Sequence, residues 1–244
     1  MNAKPYLREI VLKRDEVPDF NRYPFNIPAV SCLDTLKFHS DVTFLVGENG
    51  VGKSTLIEAI ALCMGFSPEG GTKNVLLETA KTTSELHNYI KTIKSFAMPQ
   101  DAYFLRAESF FNVASYMDKV GSGGYGDVSL HERSHGEAFM ATLTLKLKGK
   151  GLYLFDEPEA ALSPTRQMAA ISAIHQLVQN DSQFIIATHS PILLAYPNAK
   201  ILSLDETGIT EMAYEDTEHY SITRQFLNNH ERMISLLTED RDND

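Results

Sequence analysis

Several stretches of this 244-residue chain show periodic apolar patterns. "VTFLV", "LYLF" and "FIIA" are short continuous apolar runs, the pattern of strands buried on both faces. "AYFLRA" is read as a further strand. "YLREIVLKR" and "VSCLDTLKF" are read as strands near the N-terminus. Leu56, Ile57, Ile60, Ala61 and Met64 recur at helical spacing, as do Leu86, Tyr89, Ile90 and Ile93. The latter set predicts a short amphipathic helix within "TTSELHNYIKTIKSF". A helix-length connection, Thr165 to Asn180, separates "LYLF" from "FIIA". Beyond Asp216, Ile222, Phe226 and Leu227 mark a helical tail. Strands alternating with helices in this way predict an α/β fold with a mostly parallel sheet.

The bulk numbers exclude some classes. The chain is 43% hydrophobic and 22% charged, ordinary for a globular domain with a real core. Its formal net charge of −10 argues against a protein coated in nucleic acid, though a local basic groove is compatible with it. Lys81, Lys91 and Lys94 are candidates for phosphate contact, and a solvated face is the better account of them. Two unpaired cysteines, Cys32 and Cys63, predict no disulfide framework and fit a reducing compartment. The N-terminus has no signal-peptide core, and no apolar run approaches the roughly 18 residues a bilayer span needs. The expectation is a cytoplasmic protein with no membrane insertion.

Chemistry enters at the end of "VTFLV". Gly47-Glu48-Asn49-Gly50-Val51-Gly52-Lys53-Ser54 fits G-x-x-x-x-G-K-[ST] between a strand and a helix, the context of a phosphate loop. Glycines let the backbone wrap a phosphate, and amides with a helix N-terminus face the anion. Lys53 would reach the β- and γ-phosphates and Ser54 would hold Mg²⁺. "LYLF" ends in Asp156-Glu157. A strand-end Asp holds Mg²⁺ in P-loop NTPases, and the adjacent Glu157 is placed to orient or deprotonate water. A neighbouring parallel strand would bring His189, in Thr188-His189-Ser190-Pro191, beside the nucleotide, where it would contact the γ-phosphate. ATP and Mg²⁺ are the expected ligands.

With "GENGVGKST", "RSHGEAF", "LYLFDEPEAALS" and "IIATHS" in this order, the chain resembles the ABC-type ATPases from about Val42 to Pro191. It is most similar to their non-transporter branch, which includes chromosome-structuring (SMC) and RecF-like ATPases. The tail "YEDTEHYSITRQFLNNHERM" resembles a small bacterial group of predicted ATPases. The resemblance implies a single P-loop NTPase domain over 1–244 with an ABC ATPase head. Its core lobe would cover about 1–107 and 148–244, with a small antiparallel N-terminal sheet, and a helical signature lobe would cover about 108–147.

It also implies that "SHGE" is the signature. Ser134, Gly136 and Glu137 would meet the ATP held by a second copy, in an ATP-dependent homodimer. Thr55 closes the phosphate-loop set. His135 stands where transporters carry the first Gly of the signature, and Ser163 where an Asp is common in the following loop. No Gln follows "AYFLRA". Glu108 or Ser109 lies near that position, and Glu108 is a candidate for Mg²⁺ through a water, while Gln100 precedes the strand. Tyr23 and Phe25 are candidates for stacking on adenine and Arg14 for a polar contact. The Gly-rich loop Gly121 to Asp127 precedes the signature.

Roughly 80 residues separate Thr55 from Ser134, without sustained heptads, so the head lacks the coiled-coil arm of chromosome-structuring relatives. The implied activity is Mg²⁺-dependent ATP hydrolysis switching a protein partner, in DNA repair or defence, with DNA a candidate ligand. The alternative is the nucleotide-binding subunit of an ABC transporter.

Overall fold

The computed structural model describes residues 4–74, 83–110, 112–113, 116 and 133–238. In chain order, β1 (Leu7–Leu12), a short helix α1 (Pro28–Ser31), β2 (Thr35–Lys37) and β3 (Val42–Val46) lead into α2 (Lys53–Cys63). β4 (Ile90–Lys94), β5 (Asp101–Arg106) and α3 (His135–Ala141) follow, then β6 (Gly151–Asp156), α4 (Pro164–Gln179) and β7 (Gln183–Ala187). The chain continues through α5 (Pro191–Leu194), β8 (Lys200–Asp205), β9 (Gly208–Met212), α6 (Glu218–Asn228) and α7 (His230–Thr238).

The main sheet has the order β5-β6-β7-β3-β8-β9. All of its pairs are parallel except β8 with β9, which are antiparallel. The short apolar runs explain this placement. β3, β6 and β7 are buried along their whole length, and alternate residues feed two cores. Phe44, Tyr153, Phe155, Phe184 and Ile186 face the core shared with α3 and α4. Leu45, Leu152, Leu154, Ile185 and Ala187 face the core shared with α2 and the small sheet. An α/β fold with a mostly parallel sheet follows directly from strands that are apolar on both faces.

The small antiparallel sheet has the order β2-β1-β4. Its third strand corrects the sequence reading. The amphipathic helix expected across Leu86 to Ile93 is instead a 3₁₀ turn, Glu85–Tyr89, followed by β4. Leu86 and Ile90 are buried as the spacing required. However, the β-branched run Ile90-Lys91-Thr92-Ile93 pairs with β1 through the register Val11↔Lys91 and Ile10↔Thr92. The free edge of β1 outweighs a weak local helical signal. Lys91 and Lys94 therefore sit on this strand, both exposed. Lys81 and the Gly121–Asp127 loop lie outside the described residues, as does much of the expected helical lobe.

α3 begins where "SHGE" predicted. Ser134 caps it with its side chain accepting from the Glu137 amide, and the Glu137 carboxylate accepts from the Ser134 amide in return. This reciprocal box satisfies two helix-end donors. Past Ala141 the helix widens into a π-helical segment, Thr142–Lys146. The tail forms α6 and α7 as expected, and neither helix has a buried residue. Among the described residues, no helix is long and apolar enough to cross a membrane.

Candidate nucleotide site

Strand pairing assembles the site. One transverse row of the sheet runs Arg106↔Asp156↔Ala187↔Leu45. The loops that follow β6, β7 and β3 therefore leave the sheet side by side, at the carboxyl edge where open α/β sheets bind ligands. Backbone bonds extend the row. The Glu157 amide donates to Ala187 O at 2.9 Å, and the Thr188 amide to Leu45 O at 3.2 Å.

The phosphate loop needs its glycines for two reasons. Gly52, which precedes α2, has φ +106°, a left-handed conformation natural to glycine. A Cβ on Gly47 would stand 2.1 Å from Leu204 O, so β8 itself excludes a side chain there. Within the loop, the buried Lys53 donates from Nζ to Gly47 O and Glu48 O, each at 2.9 Å. Burial pulls its pKa down, while Glu157, Asp156, Glu48 and Glu159 pull it back up. Asn49 and Gly50 are exposed at the loop tip, and Val51 and Thr55 are half-buried.

Ser54 Oγ donates to Asp156 Oδ1 at 3.1 Å. Asp156 is buried, and burial raises its carboxyl to about 6 against the opposing pull of Arg106 and Ser54. Arg106 Nε lies 3.9 Å from Asp156 Oδ2, but Arg106 is held mainly by Glu58 at 2.6 Å. A hydroxyl and a carboxylate presented together are the hard-oxygen pair that Mg²⁺ takes from a protein when phosphates supply the rest. Among the described residues, no three His, Cys, Asp or Glu side chains converge on one point to hold a metal. The Glu108 side chain is 82% exposed and lies 3.5 Å from Arg106 Nη2. It lines a pocket with Glu157, Pro158, His135 and Phe139, of which Ser54 and Asp156 are not part.

The raised Asp156 carboxyl gives a signed prediction. Its folded-state pKa lies above the ordinary 3.8, so between the two values the folded chain binds a proton that the unfolded chain has released. Without Mg²⁺, stability therefore falls as pH rises through that window. Asp156→Asn is expected to raise the metal-free melting temperature at pH 7.5 and to abolish the Mg²⁺-dependent rise expected of the wild type. Calorimetry with and without Mg²⁺ checks both signs. Mg²⁺ binding to the wild type should also weaken below about pH 6.

Glu157 adopts a left-handed backbone, φ 51° and ψ 52°, with Pro158 fixing the exit. Its Oε1 lies 3.9 Å from His189 Nε2. That nitrogen is buried and, among the described residues, has no hydrogen-bond partner. His189 is held from behind by Glu159, which accepts from its amide and, at 2.7 Å, from Thr188 Oγ1. Its Nδ1 sits 2.9 Å from His219 Nε2.

The signature residues form a separate cluster. Ser134 and Glu137 are exposed, whereas Gly136 is buried. Ser134 Oγ donates to Glu137 Oε2 at 2.7 Å and accepts from Arg166 Nη1 at 3.2 Å. Arg166 Nη2 lies 3.3 Å from Glu137 Oε1. A Cβ on Gly136 would stand 2.4 Å from Arg166 Nη1 and 2.9 Å from Ala161 O. Glycine there lets α4 and the turn after β6 approach α3. The described partners of Ser134, Gly136 and Glu137 thus belong to α3, α4 and that turn, not to the phosphate loop of the same chain.

Three candidates fare differently. Phe25 is fully buried, packed edge-on against Tyr89 at 4.9 Å. It cannot stack on a base, because the aromatic core beneath the small sheet claims it. Tyr23 is 61% exposed. The Arg14 guanidinium lies 4.6 Å over Phe20 and donates to Ser31 O and Leu33 O. Sequence reasoning missed Arg106, Glu58, Glu159, Arg166 and His219. A Glu inside the apolar α2 pattern, and an Arg ending the strand beside Asp156, were available signals for the first two.

The family model described as AAA domain (AAA_23) matches residues 31–187. The chain is 26% identical over 176 residues to "ABC transporter E family member 1" of Arabidopsis thaliana, covering 62% of this chain. It is 24% identical over 218 residues to "L-cystine transport system ATP-binding protein TcyN" of Escherichia coli, covering 77% of this chain and 86% of that protein. It spans 29% of the length of the Arabidopsis protein and 36% of that of two Bacillus relatives. Among solved structures, it is similar to the SMC head domain from Thermotoga maritima. The TM-score is 0.48 at 14% identity, covering 87% of this chain and all of that one.

Proposed function

The chain belongs to the AAA-domain family matched over residues 31–187, with the ABC-type ATPase fold, and from that premise we propose that it hydrolyses ATP with Mg²⁺ in a nucleotide-sandwich homodimer. The observation that carries this reading is the sheet-edge cluster. Lys53, the Ser54–Asp156 pair, Glu157 and His189 meet where β3, β6 and β7 end.

In the proposed mechanism, Lys53 exchanges its two loop carbonyls for β- and γ-phosphate oxygens, and the loop amides and the α2 N-terminus bind the remainder. Ser54 and Asp156 would hold Mg²⁺, with Glu108 reaching it through a water, and the ion neutralises phosphate charge when bound. Glu157 orients the attacking water and accepts its proton. The hydrogen of His189 Nε2 contacts the γ-phosphoryl oxygens. Little covalent help is needed, because phosphoryl transfer is catalysed by positioning and charge.

Ser134, Gly136 and Glu137 would serve the second copy's ATP. Their described partners lie away from the phosphate loop, and an exposed capped helix start offers an anion site. Two-fold symmetry then completes both sites together. ATP would close the dimer and hydrolysis would open it, so the output lies in a protein partner.

The missing Gln after β5 and the Glu at the last signature position favour the non-transporter branch and a DNA repair or defence role in the cytoplasm. The transporter reading is favoured by the names of the curated relatives. Phosphate release by the purified chain tests the activity: turnover should require Mg²⁺ and disappear with EDTA. Stimulation by duplex DNA would support the first role. Co-purification with a membrane protein, without any DNA effect, would favour the second.

A further inference from the structure

His219 lies in the C-terminal tail, apart from the phosphate loop, the strand-end acids and the signature, yet it touches the residue that faces Glu157. It is the second residue of α6, and three contacts fix its place. Thr217 is fully buried and caps the helix by accepting from the Tyr220 amide. Thr217 Oγ1 donates to Tyr214 O at 2.7 Å. Tyr214 in turn donates its hydroxyl to Pro191 O at 2.8 Å, two residues after His189. The start of α6 is therefore tied to the loop that carries His189. The two rings lie 5.1 Å apart, with Nδ1 of His189 facing Nε2 of His219 at 2.9 Å.

Burial disfavours the charged form of both rings. In a neutral pair, one of the two facing nitrogens donates and the other accepts. The surroundings choose between them. His189 Nε2 is buried, has no hydrogen-bond partner among the described residues and faces Glu157 Oε1 at 3.9 Å. A bare nitrogen there would oppose its lone pair to a carboxylate, whereas an N–H complements it. The other charges acting on the pair, Lys53, Glu48 and Glu218, lie outside the hydrogen bond itself. With its hydrogen on Nε2, His189 must accept at Nδ1, and His219 Nε2 must donate.

We propose that His219 is a positioning residue: its Nε2–H holds His189 in the tautomer whose Nε2–H faces Glu157 and the reacting phosphoryl group. This rests on the ATPase reading for its consequence but not for its geometry. The state of the second ring nitrogen is commonly set by the partner of the first. Here that partner comes from the C-terminal tail.

The test compares His219→Phe, which keeps a ring but has no donor, with His219→Gln, whose amide can donate from a similar position. Nitrogen NMR of histidine-labelled protein reads the tautomer directly. Wild-type His189 should carry its hydrogen on Nε2, and His219→Phe should shift the His189 nitrogens towards a tautomer mixture. Turnover should fall about 10-fold in His219→Phe, the scale on which orienting partners act, with KM for ATP little changed. His219→Gln should recover most of that loss. Unchanged nitrogen shifts in His219→Phe, or a Gln variant as impaired as the Phe variant, would overturn the proposal. If the wild type itself has no ATPase activity, the functional reading fails, and the nitrogen shifts still decide the tautomer.

Discussion

Glu157→Gln is expected to lower ATP turnover by about 10² to 10⁴-fold, the range typical of losing a positioned base, while ATP binding persists. The amide keeps the size of the side chain and the backbone bond to Ala187 O, so the left-handed turn at residue 157 is retained. What disappears is the carboxylate that, in the proposed mechanism, would accept the proton of water. Removing it also relieves the charge repulsion between Glu157 and the phosphates, so ATP should dwell longer. Light scattering with Mg-ATP is the direct reading: the variant should shift from monomer to dimer and stay there. Turnover at the wild-type rate would remove Glu157 from the mechanism. A variant that binds ATP yet remains monomeric would remove the sandwich.

Ser134→Arg is expected to abolish ATP-driven dimerisation and to reduce turnover to the level of an isolated subunit, again with ATP binding by the monomer intact. Ser134 Oγ sits 3.2 Å from Arg166 Nη1. A second guanidinium at this position would meet Arg166 and fill the exposed face where a partner's nucleotide would lie. The substitution also removes the helix cap, a loss of about 1 kcal/mol. Ser134→Ala removes the same cap without the bulk and serves as the control. Equal melting temperatures for the two variants would show that loss of dimerisation in the Arg variant is not a weakening of α3. Wild-type turnover by Ser134→Arg would reduce "SHGE" to a helix cap.

How much of this was legible depends on where each signal lives. The parallel sheet was readable because β3, β6 and β7 carry apolar residues on both faces, a demand only a central strand makes. The phosphate loop was readable because its glycines answer a local backbone need. The stretch from Leu86 to Ile93 was misread because its turn and strand happen to bury residues at helical spacing, and only the edge of β1 decides between the two structures. Phe25 was left open between base and core because an aromatic residue looks the same in sequence in either place, and its burial decides for the core. Arg166 and His219 act across 32 and 30 residues of chain. No periodicity or spacing encodes such partnerships, since they arise from how α4 and α6 dock.

The position of β7 between β6 and β3 has a consequence for amide hydrogen exchange. The amides of Glu157 and Thr188 are tied across to Ala187 O and Leu45 O in the interior of the sheet. They are released only when the central strands separate, and should exchange as slowly as global unfolding allows. α6 and α7, with no buried residue, should exchange orders of magnitude faster along most of their length. Protection should rise again only near Thr217, where the capped start of α6 is buried against the rest. The exchange map would then divide the molecule into a slow nucleotide rim and a fast tail, joined at one slow point.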